Sequence, residues 1–168
     1  MMGFTQTSTS EKKIVVPFFE DATARTAPYY TTGRSIKSVQ KEIIDIMDEL
    51  GGERVRFKEG WFGEKPRRYG HVLQFRYADQ DAQIISAGLP MRNPTDKKIE
   101  TVKVQALLIV KDQLKAAFTA LVFSPGSYPL MQYVLGDGDK TLGEMFVNRY
   151  ELPMLNPPVE EIRIEKAD

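Results

Sequence analysis

The chain has 168 residues, with 23 basic and 23 acidic side chains, one histidine and no cysteine, and its length fits one domain with a sizeable core. The missing cysteines exclude a disulfide framework, a zinc–thiolate site, an iron–sulfur cluster and a cysteine nucleophile, and the single histidine excludes a multi-histidine metal site. No apolar run approaches the roughly 18 residues that span a bilayer, and the N-terminus lacks a hydrophobic signal core, so we expect a cytoplasmic protein that contacts no membrane.

Three regions follow one another along the chain. Residues 1–34 form an N-terminal arm that is rich in threonine and shows no helical periodicity. Within it the apolar, β-branched stretch 14–19 is compatible with a strand, and Pro17 would place that strand at a sheet edge because it has no amide donor. We expect the stretch to pack on the body, with docking on a partner as the alternative. Residues 35–156 form the globular domain, and 157–168 form a charged tail.

Three helices are predicted in the domain, and the last of them is a short one that Thr141 caps. Ser35 caps the first and Gly51 ends it. Between them, apolar residues recur at spacings of three and four and make one stripe: Ile36, Val39, Ile43, Ile46, Met47 and Leu50. The second helix begins at Thr95 or Asp96 and covers about 97–121. Its apolar stripe is so broad that we expect burial on more than one side.

Three strands are predicted between the first helix and the second. Residues 53–58 and 69–77 alternate between two faces, and 82–87 is a short apolar run. The connection 79–81 is short enough for a hairpin, whereas 59–68 is polar and rich in Gly and Pro and is expected to be a loop. The order predicts an α+β fold, a single domain in which an antiparallel meander of three to four strands packs on the N-terminal helix and the long central helix. One face of the sheet is expected on the first helix and the other open.

The segment 53–78 has an unusual composition for a chain of zero net charge. It carries seven bases and three acids, a local charge of +4, and its bases alternate with aromatic residues. Cations that follow a phosphate backbone release counterions, and aromatic rings stack on bases without reading their sequence. The candidate contact residues are Arg54, Arg56, Lys58, Lys65, Arg67, Arg68 and Arg76 for phosphates, and Trp61, Phe62, Tyr69 and Tyr77 for bases.

These residues predict a non-enzymatic protein that binds single-stranded nucleic acid, with DNA as the preferred ligand. We expect the loop 59–68 to fold over the basic face of the first strand, giving a groove with cationic walls and an aromatic lip. Three other interpretations stay open. The aromatic residues cap the core beside solvated, paired arginines, or the segment binds an anionic small molecule, or it binds a protein partner.

No motif in the sequence specifies a reaction, and we predict no catalytic residue, no metal and no cofactor. A restriction-type nuclease needs an acid-x-lysine on the strand that follows its first acid, and the strand after Asp79 and Asp81 has none. A metal-dependent nuclease that uses Asp79, Asp81 or Glu100 is kept as a third hypothesis. The segment 136–139 has the wrong spacing for a calcium loop or a P-loop, and His71 is expected to be a packed strand residue.

Four stretches resemble a group of uncharacterised proteins from phage, plasmid and prokaryotic genomes. That group has a helix of the form xxEIxxLLxxxG, a meander ending in xLPxR, a long helix and a terminal xMPxLxP. The matching stretches here are 42–51, 88–92, 104–117 and 152–157, so the resemblance covers about 36–157. Because the motifs are mostly apolar, the resemblance implies a shared fold and carries no activity.

The plan of a helix beside a basic, aromatic sheet is also similar to the archaeal single-stranded DNA-binding proteins called ThermoDBP. That resemblance implies a single strand laid in a cleft, with aromatic side chains among its bases. The residues it implicates by type are Arg54, Arg56, Lys58, Trp61, Arg67, Arg68 and Tyr69.

The second hypothesis, after nucleic-acid binding and before the metal-dependent nuclease, is an interaction or assembly module of a mobile element. In that module, residues 14–19 and the long helix form a homo-oligomer.

Overall fold

The computed structural model shows three strands between two long helices, which confirms the predicted α+β fold. The described residues are 16–63, 66–124, 126–136 and 138–147. The elements are α1 (Ile36–Leu50), β1 (Glu53–Phe62), β2 (Arg68–Tyr77), β3 (Gln80–Ala87), α2 (Asp96–Phe123) and α3 (Leu142–Val147), with 3-10 turns at Phe19–Asp21 and Met131–Tyr133. The predicted contact residue Lys65 and the tail 157–168 lie outside the described residues.

Helix α1 begins and ends where the sequence predicts. The Ser35 hydroxyl accepts a hydrogen bond from the Ser38 amide at 3.3 Å, which satisfies one of the amides left unpaired at a helix start. Gly51 ends the helix at φ +88°, a left-handed conformation that glycine adopts without a steric penalty. The buried residues of the apolar stripe are Val39, Ile43, Met47 and Leu50.

The strands form an antiparallel sheet in the order β1-β2-β3. A two-residue turn joins β2 to β3, and its residues Ala78 and Asp79 have φ of +49° and +60°, as a type I′ turn requires. Strand β1 continues past residue 58 to Phe62, because 59–62 pairs with 68–71 of β2. The predicted loop 59–68 is therefore wrong for 59–62, whose local polarity is outweighed by cross-strand pairing.

Helix α2 covers one face of the sheet and joins it to α1. Both helices contribute to the core as predicted, but α2 covers β2 and β3, while α1 packs mainly on α2 and also contacts β1. Ser86 of β3 donates its hydroxyl to the Ala106 carbonyl of α2 at 2.9 Å. The largest fully buried residues include Leu73 of β2 and Leu107, Leu108 and Leu114 of α2.

The described part of the N-terminal arm packs on the start of α2. The Phe19 amide donates to the Pro90 carbonyl at 2.8 Å, and Lys98 Nζ donates to the Glu20 carboxylate at 3.0 Å. Residues 16–18 lie in no strand and Phe19 begins a 3-10 turn. The described part of the arm is thus attached to the body through backbone hydrogen bonds and ion pairs.

The chain after α2 lies along the outer edge of β3. Val134 forms an antiparallel bridge with Ala82, and the Leu135 amide donates to the Asp81 carbonyl at 2.7 Å. These contacts extend the three-stranded sheet by a short fourth segment, so β1 is left as the unpaired edge among the described residues.

Candidate nucleic-acid interface

Cross-strand pairing divides the sheet's side chains between two faces. Directly opposed residues share a face, so the pairs Phe57–Leu73 and Trp61–Tyr69 belong to the face that packs on α2. The other face, called the open face, faces solvent, as the 51% exposure of Ile85 indicates. Its residues on β1 and β2 include Arg56, Lys58, Phe62, Arg68, Val72, Gln74 and Arg76.

A cavity of about 310 Å³ lies on the open face, where β1 begins and β2 ends. Arg54, Arg56 and Arg76 line it, beside Gln74 and Asp81; we call it the arginine cavity. The side chains of Arg54, Arg56 and Gln74 make no hydrogen bond or ion pair with any residue in the described ranges. The cavity therefore presents unpaired donors, two of them charged, on a solvent-facing surface.

Arg54 reaches the arginine cavity through a β-bulge. The pairing shifts by one residue between Glu53–Arg76 and Arg56–Gln74, and Arg54 has φ of +53°. A left-handed residue with a side chain costs about 1 kcal/mol, and bulges often redirect a side chain beside a functional site. An arginine thus occupies a position where glycine would fit without strain.

Two of the predicted contact arginines bind the protein itself. Arg68 Nε donates to the Gly88 carbonyl at 2.8 Å, and burial lowers the pKa of its guanidinium. Arg76 donates to the Asp79 carbonyl at 2.6 Å and to the Asp81 carboxylate at 3.4 Å. Arg68 therefore fastens the end of β3, while Arg76 is held in a fixed position at the wall of the cavity.

Two of the predicted aromatic residues, Trp61 and Tyr69, lie at the other end of the hairpin and on the opposite face. Trp61 faces Tyr69 edge to face, with ring centroids 5.1 Å apart, and the Arg67 guanidinium lies over the indole at 5.0 Å. Five residues of strand, or ~17 Å, separate Trp61 from Arg56. The predicted groove, with these rings beside the bases of β1, is therefore not formed.

The remaining predicted contact residues fall on both faces. Lys58 and Phe62 share the open face with the arginine cavity, and Lys58 is solvent-exposed. Tyr77 lies on the face that packs on α2, partly buried against the core. Phe62 is thus the one predicted aromatic residue that the pairing puts on the open face.

The helix-covered face buries the chain's single histidine. His71 is 3% exposed, and neither ring nitrogen has a hydrogen-bond partner among the described residues. Burial lowers the pKa of His71 and the charge of Lys103 adds to that shift, while the charge of Glu59 and the nearby backbone of Lys103 oppose it. Ser86 lies directly opposite His71, but its hydroxyl is donated to Ala106. Glu59, His71 and Ser86 thus lie opposite one another on the three strands. They are the residue types of a hydrolytic triad, but the hydrogen bonds that such a triad uses are not formed among them.

The acidic residues of the nuclease hypothesis lie in two separate places, with Asp79 and Asp81 beside Arg76, and Glu100 away from them. Asp81 binds Arg76 at one end of β2, whereas Glu100 binds Lys103, which also binds Glu59 opposite His71 at the other end. Within the described ranges, no group of three or more His, Asp or Glu side chains is arranged to hold a metal ion.

The comparisons with known proteins returned nothing: no family model matches the chain, and no curated protein or solved structure matches at a significant level. The described helices also include none that is long and apolar enough to cross a bilayer. Sequence reasoning missed Gln74 and Asp81 as cavity residues. The signal for Gln74 was present, because it lies two positions from Arg76 on an alternating strand.

Proposed function

We propose that the protein binds single-stranded nucleic acid along the open face of its sheet. The observation that carries the proposal is the convergence of Arg54, Arg56 and Arg76 on one solvent-facing cavity, with Lys58 next along β1. Cations on a surface that no helix of the described residues covers are what a phosphate backbone needs, because each contact releases condensed counterions. Arg54 and Arg56 have no hydrogen-bond or ion-pair partner among those residues.

The spacing of the cations supports an extended ligand. Arg56 and Lys58 are two residues apart on one face of a strand, or roughly 6.8 Å. A flexible single strand can follow such a row of charges by rotating its backbone, whereas a duplex presents its phosphates on a fixed cylinder. Beyond Lys58, Phe62 offers a ring on which a base can stack. DNA is the ligand we propose first, and RNA is the variant to compare.

Charges on an edge strand also have a purely structural use. They keep exposed backbone groups from pairing with another sheet, and this would explain Arg54, Arg56 and Lys58 without any ligand. Reversing the charge separates the two roles. Glutamate protects an edge as well as lysine does, but it repels phosphate.

The test is the affinity of a fluorescein-labelled oligothymidine, measured by anisotropy at several salt concentrations. Four cations, Arg54, Arg56, Lys58 and Arg76, that each contact one phosphate predict a slope of about −3 for log K against log salt. Arg56→Glu/Lys58→Glu should weaken binding at least tenfold and flatten that slope. Lys41→Glu/Lys115→Glu is the matched control, because it makes the same charge change at exposed positions of α1 and α2. Equal losses in both double variants would overturn the proposal.

A second candidate function, self-association, is favoured by the exposed end of α2. Phe118, Leu121, Val122 and Phe123 are 37%, 40%, 55% and 79% exposed there. Apolar patches of this kind on a monomer often mark an interface, and a two-fold axis would pack the stripe on its own copy. Sedimentation velocity of the wild type and of Val122→Lys tests it. A wild-type dimer that the substitution Val122→Lys dissociates supports this candidate. A wild type that is monomeric at a protein concentration of 100 times the oligothymidine Kd contradicts it.

A further inference from the structure

We infer that the arginine cavity binds the terminal phosphate monoester of a nucleic-acid strand, rather than a phosphodiester within it. This inference rests on the proposed function and assigns one part of the open face to a strand end. It draws on the charge of the cavity, on the way its cations are held, and on where the cavity lies along β1.

The charge of the cavity matches a dianion. Its charged lining residues are Arg54, Arg56, Arg76 and Asp81, which gives a local charge of +2. A phosphate monoester carries about −1.5 to −2 at pH 7, whereas each internal diester carries a single negative charge. Each diester within a strand needs only one cation. Further along β1 the open face offers one cation, Lys58, and this suits a single diester, whereas the cavity offers an excess of positive charge.

The cations are arranged for close recognition. Arg76 is held by hydrogen bonds to the Asp79 carbonyl at 2.6 Å and to the Asp81 carboxylate at 3.4 Å. Phosphate binding therefore does not have to restrict the conformations of this side chain. Arg54 and Arg56 have no such partner among the described residues, and their planar donor sets fit phosphate oxygens in pairs. Asp81 lies against Arg76 and therefore repels an incoming anion less than a free carboxylate would.

The cavity also lies at the end of the β1–β2 ladder, which is where the row of cations on β1 ends. One rung beyond Arg76–Asp81 the ladder ends at Tyr77–Gln80, before the turn. On the β3 side the cavity is closed by Leu135, whose amide is bonded to the Asp81 carbonyl at 2.7 Å. Its volume of about 310 Å³ is at the lower end for ligand sites. A cavity of this size suits one small group, such as a phosphate, at the end of the row of cations along β1.

The decisive comparison uses oligothymidines of one length that differ only at their ends. Each is labelled at one end and carries either a phosphate or a hydroxyl at the other, so that the 5′ and 3′ termini are both sampled. Anisotropy should show that one of the two phosphorylated ends binds at least tenfold more tightly than its hydroxyl counterpart. Differences below twofold at both ends would overturn the inference. The proposed function would stand as long as the hydroxyl-ended strands bind.

Arg54→Gly isolates the cavity without disturbing the fold, because glycine accepts the φ of +53° at the bulge. It should weaken the strand with a phosphorylated end several times more than the hydroxyl-ended strand, which loses the contact of a single cation, and so remove most of the preference for a phosphorylated end. Lys58→Ala is the matched control and should weaken both ligands equally. An end preference that survives Arg54→Gly overturns the assignment to this cavity.

Inorganic phosphate serves as the competing probe, because it offers the same chemistry without a strand. We expect it to displace the end-phosphorylated oligothymidine only at concentrations at least a hundred times the Kd of that strand. Displacement at concentrations comparable to that Kd would show a free-phosphate site and would overturn the strand-end inference. If no oligothymidine binds at all, the proposed function itself fails.

Discussion

Trp61 lies directly opposite Tyr69 across the β1–β2 ladder, and the two rings meet edge to face at 5.1 Å. Arg67 lies over the indole, 5.0 Å from its centre. The chain's single tryptophan is thus enclosed by its own hairpin, on the face opposite Lys58. An indole with such neighbours stabilises the hairpin tip, and a base would have to displace Arg67 to stack on it.

The first prediction concerns the affinity for oligothymidine and compares the neighbouring aromatic residues Trp61 and Phe62. Trp61→Phe should leave the affinity for oligothymidine within about twofold, because the indole is not on the open face. Phe62→Ala should weaken binding by about 1–3 kcal/mol, the range for losing one stacked base. Both are measured by anisotropy with the same labelled strand. A tenfold loss in Trp61→Phe, with none in Phe62→Ala, would reverse this assignment of the two faces.

The second prediction concerns two glycines that face each other across β1 and β2. A Cβ at Gly70 would collide with the Ser86 carbonyl and with the Ala87 backbone, whereas a Cβ at Gly60 would meet nothing within 4 Å. Gly70→Ala should therefore lower the free energy of unfolding by about 1–3 kcal/mol. Gly60→Ala should leave it unchanged or raise it. Urea denaturation monitored by circular dichroism measures both variants, and equal effects would contradict the close approach of β2 and β3.

The third prediction concerns the β2–β3 turn, where Ala78 and Asp79 both have positive φ. Asn and Gly fit these conformations better than Ala and Asp, and the Arg76 contact to the residue 79 carbonyl is kept. Ala78→Asn/Asp79→Gly should raise the free energy of unfolding by about 1 kcal/mol. Ala78→Val should lower it, because a β-branched residue resists positive φ. Thermal denaturation of the three proteins decides, and stabilisation by valine would contradict a type I′ turn.

The fourth prediction concerns His71, whose pKa is lowered by burial. The unfolded chain then takes up the proton first, so the stability is fully present above about pH 6.5 and is lost as the pH falls from there toward the folded pKa. Because the chain has one histidine, its NMR titration is unambiguous and should give a pKa below 6.5. His71→Leu should flatten the fall in unfolding free energy between pH 7 and 5. A measured pKa above 6.5 would contradict the buried, unpartnered imidazole.

The fifth prediction concerns Glu20, which joins the N-terminal arm to α2. Desolvation raises the pKa of Glu20, but hydrogen bonds from Lys98 and from the amides of Arg92 and Asn93 outweigh it and lower the pKa to about 2. The carboxylate thus stabilises the folded chain above about pH 4.5, and this is lost as the pH falls toward 2. Glu20→Gln should reduce the acid sensitivity over that window, while Glu49→Gln on exposed α1 should not. Acid titration followed by circular dichroism measures both, and equal curves would contradict the attachment.

Helix α1 is the clearest case of what the sequence by itself determined. Its cap at Ser35, its stop at Gly51 and its buried stripe all depend on neighbours within a few residues, and local spacing carries that information. The same holds for the order of the elements and for the alternation that puts Arg56 and Lys58 on one side of β1. These features need no partner from elsewhere in the chain to be recognised.

Only the tertiary structure decided where the candidate site lies. Residues 59–62 look like a loop locally, yet pairing with β2 makes them a strand, and the two-residue alternation then turns Trp61 away from Lys58. The bulge at Arg54 and the turn that brings Asp81 beside Arg76 depend on register between strands. The arginine cavity exists because three strands meet in one register, and register is fixed by long-range pairing and by the burial of one face on α2.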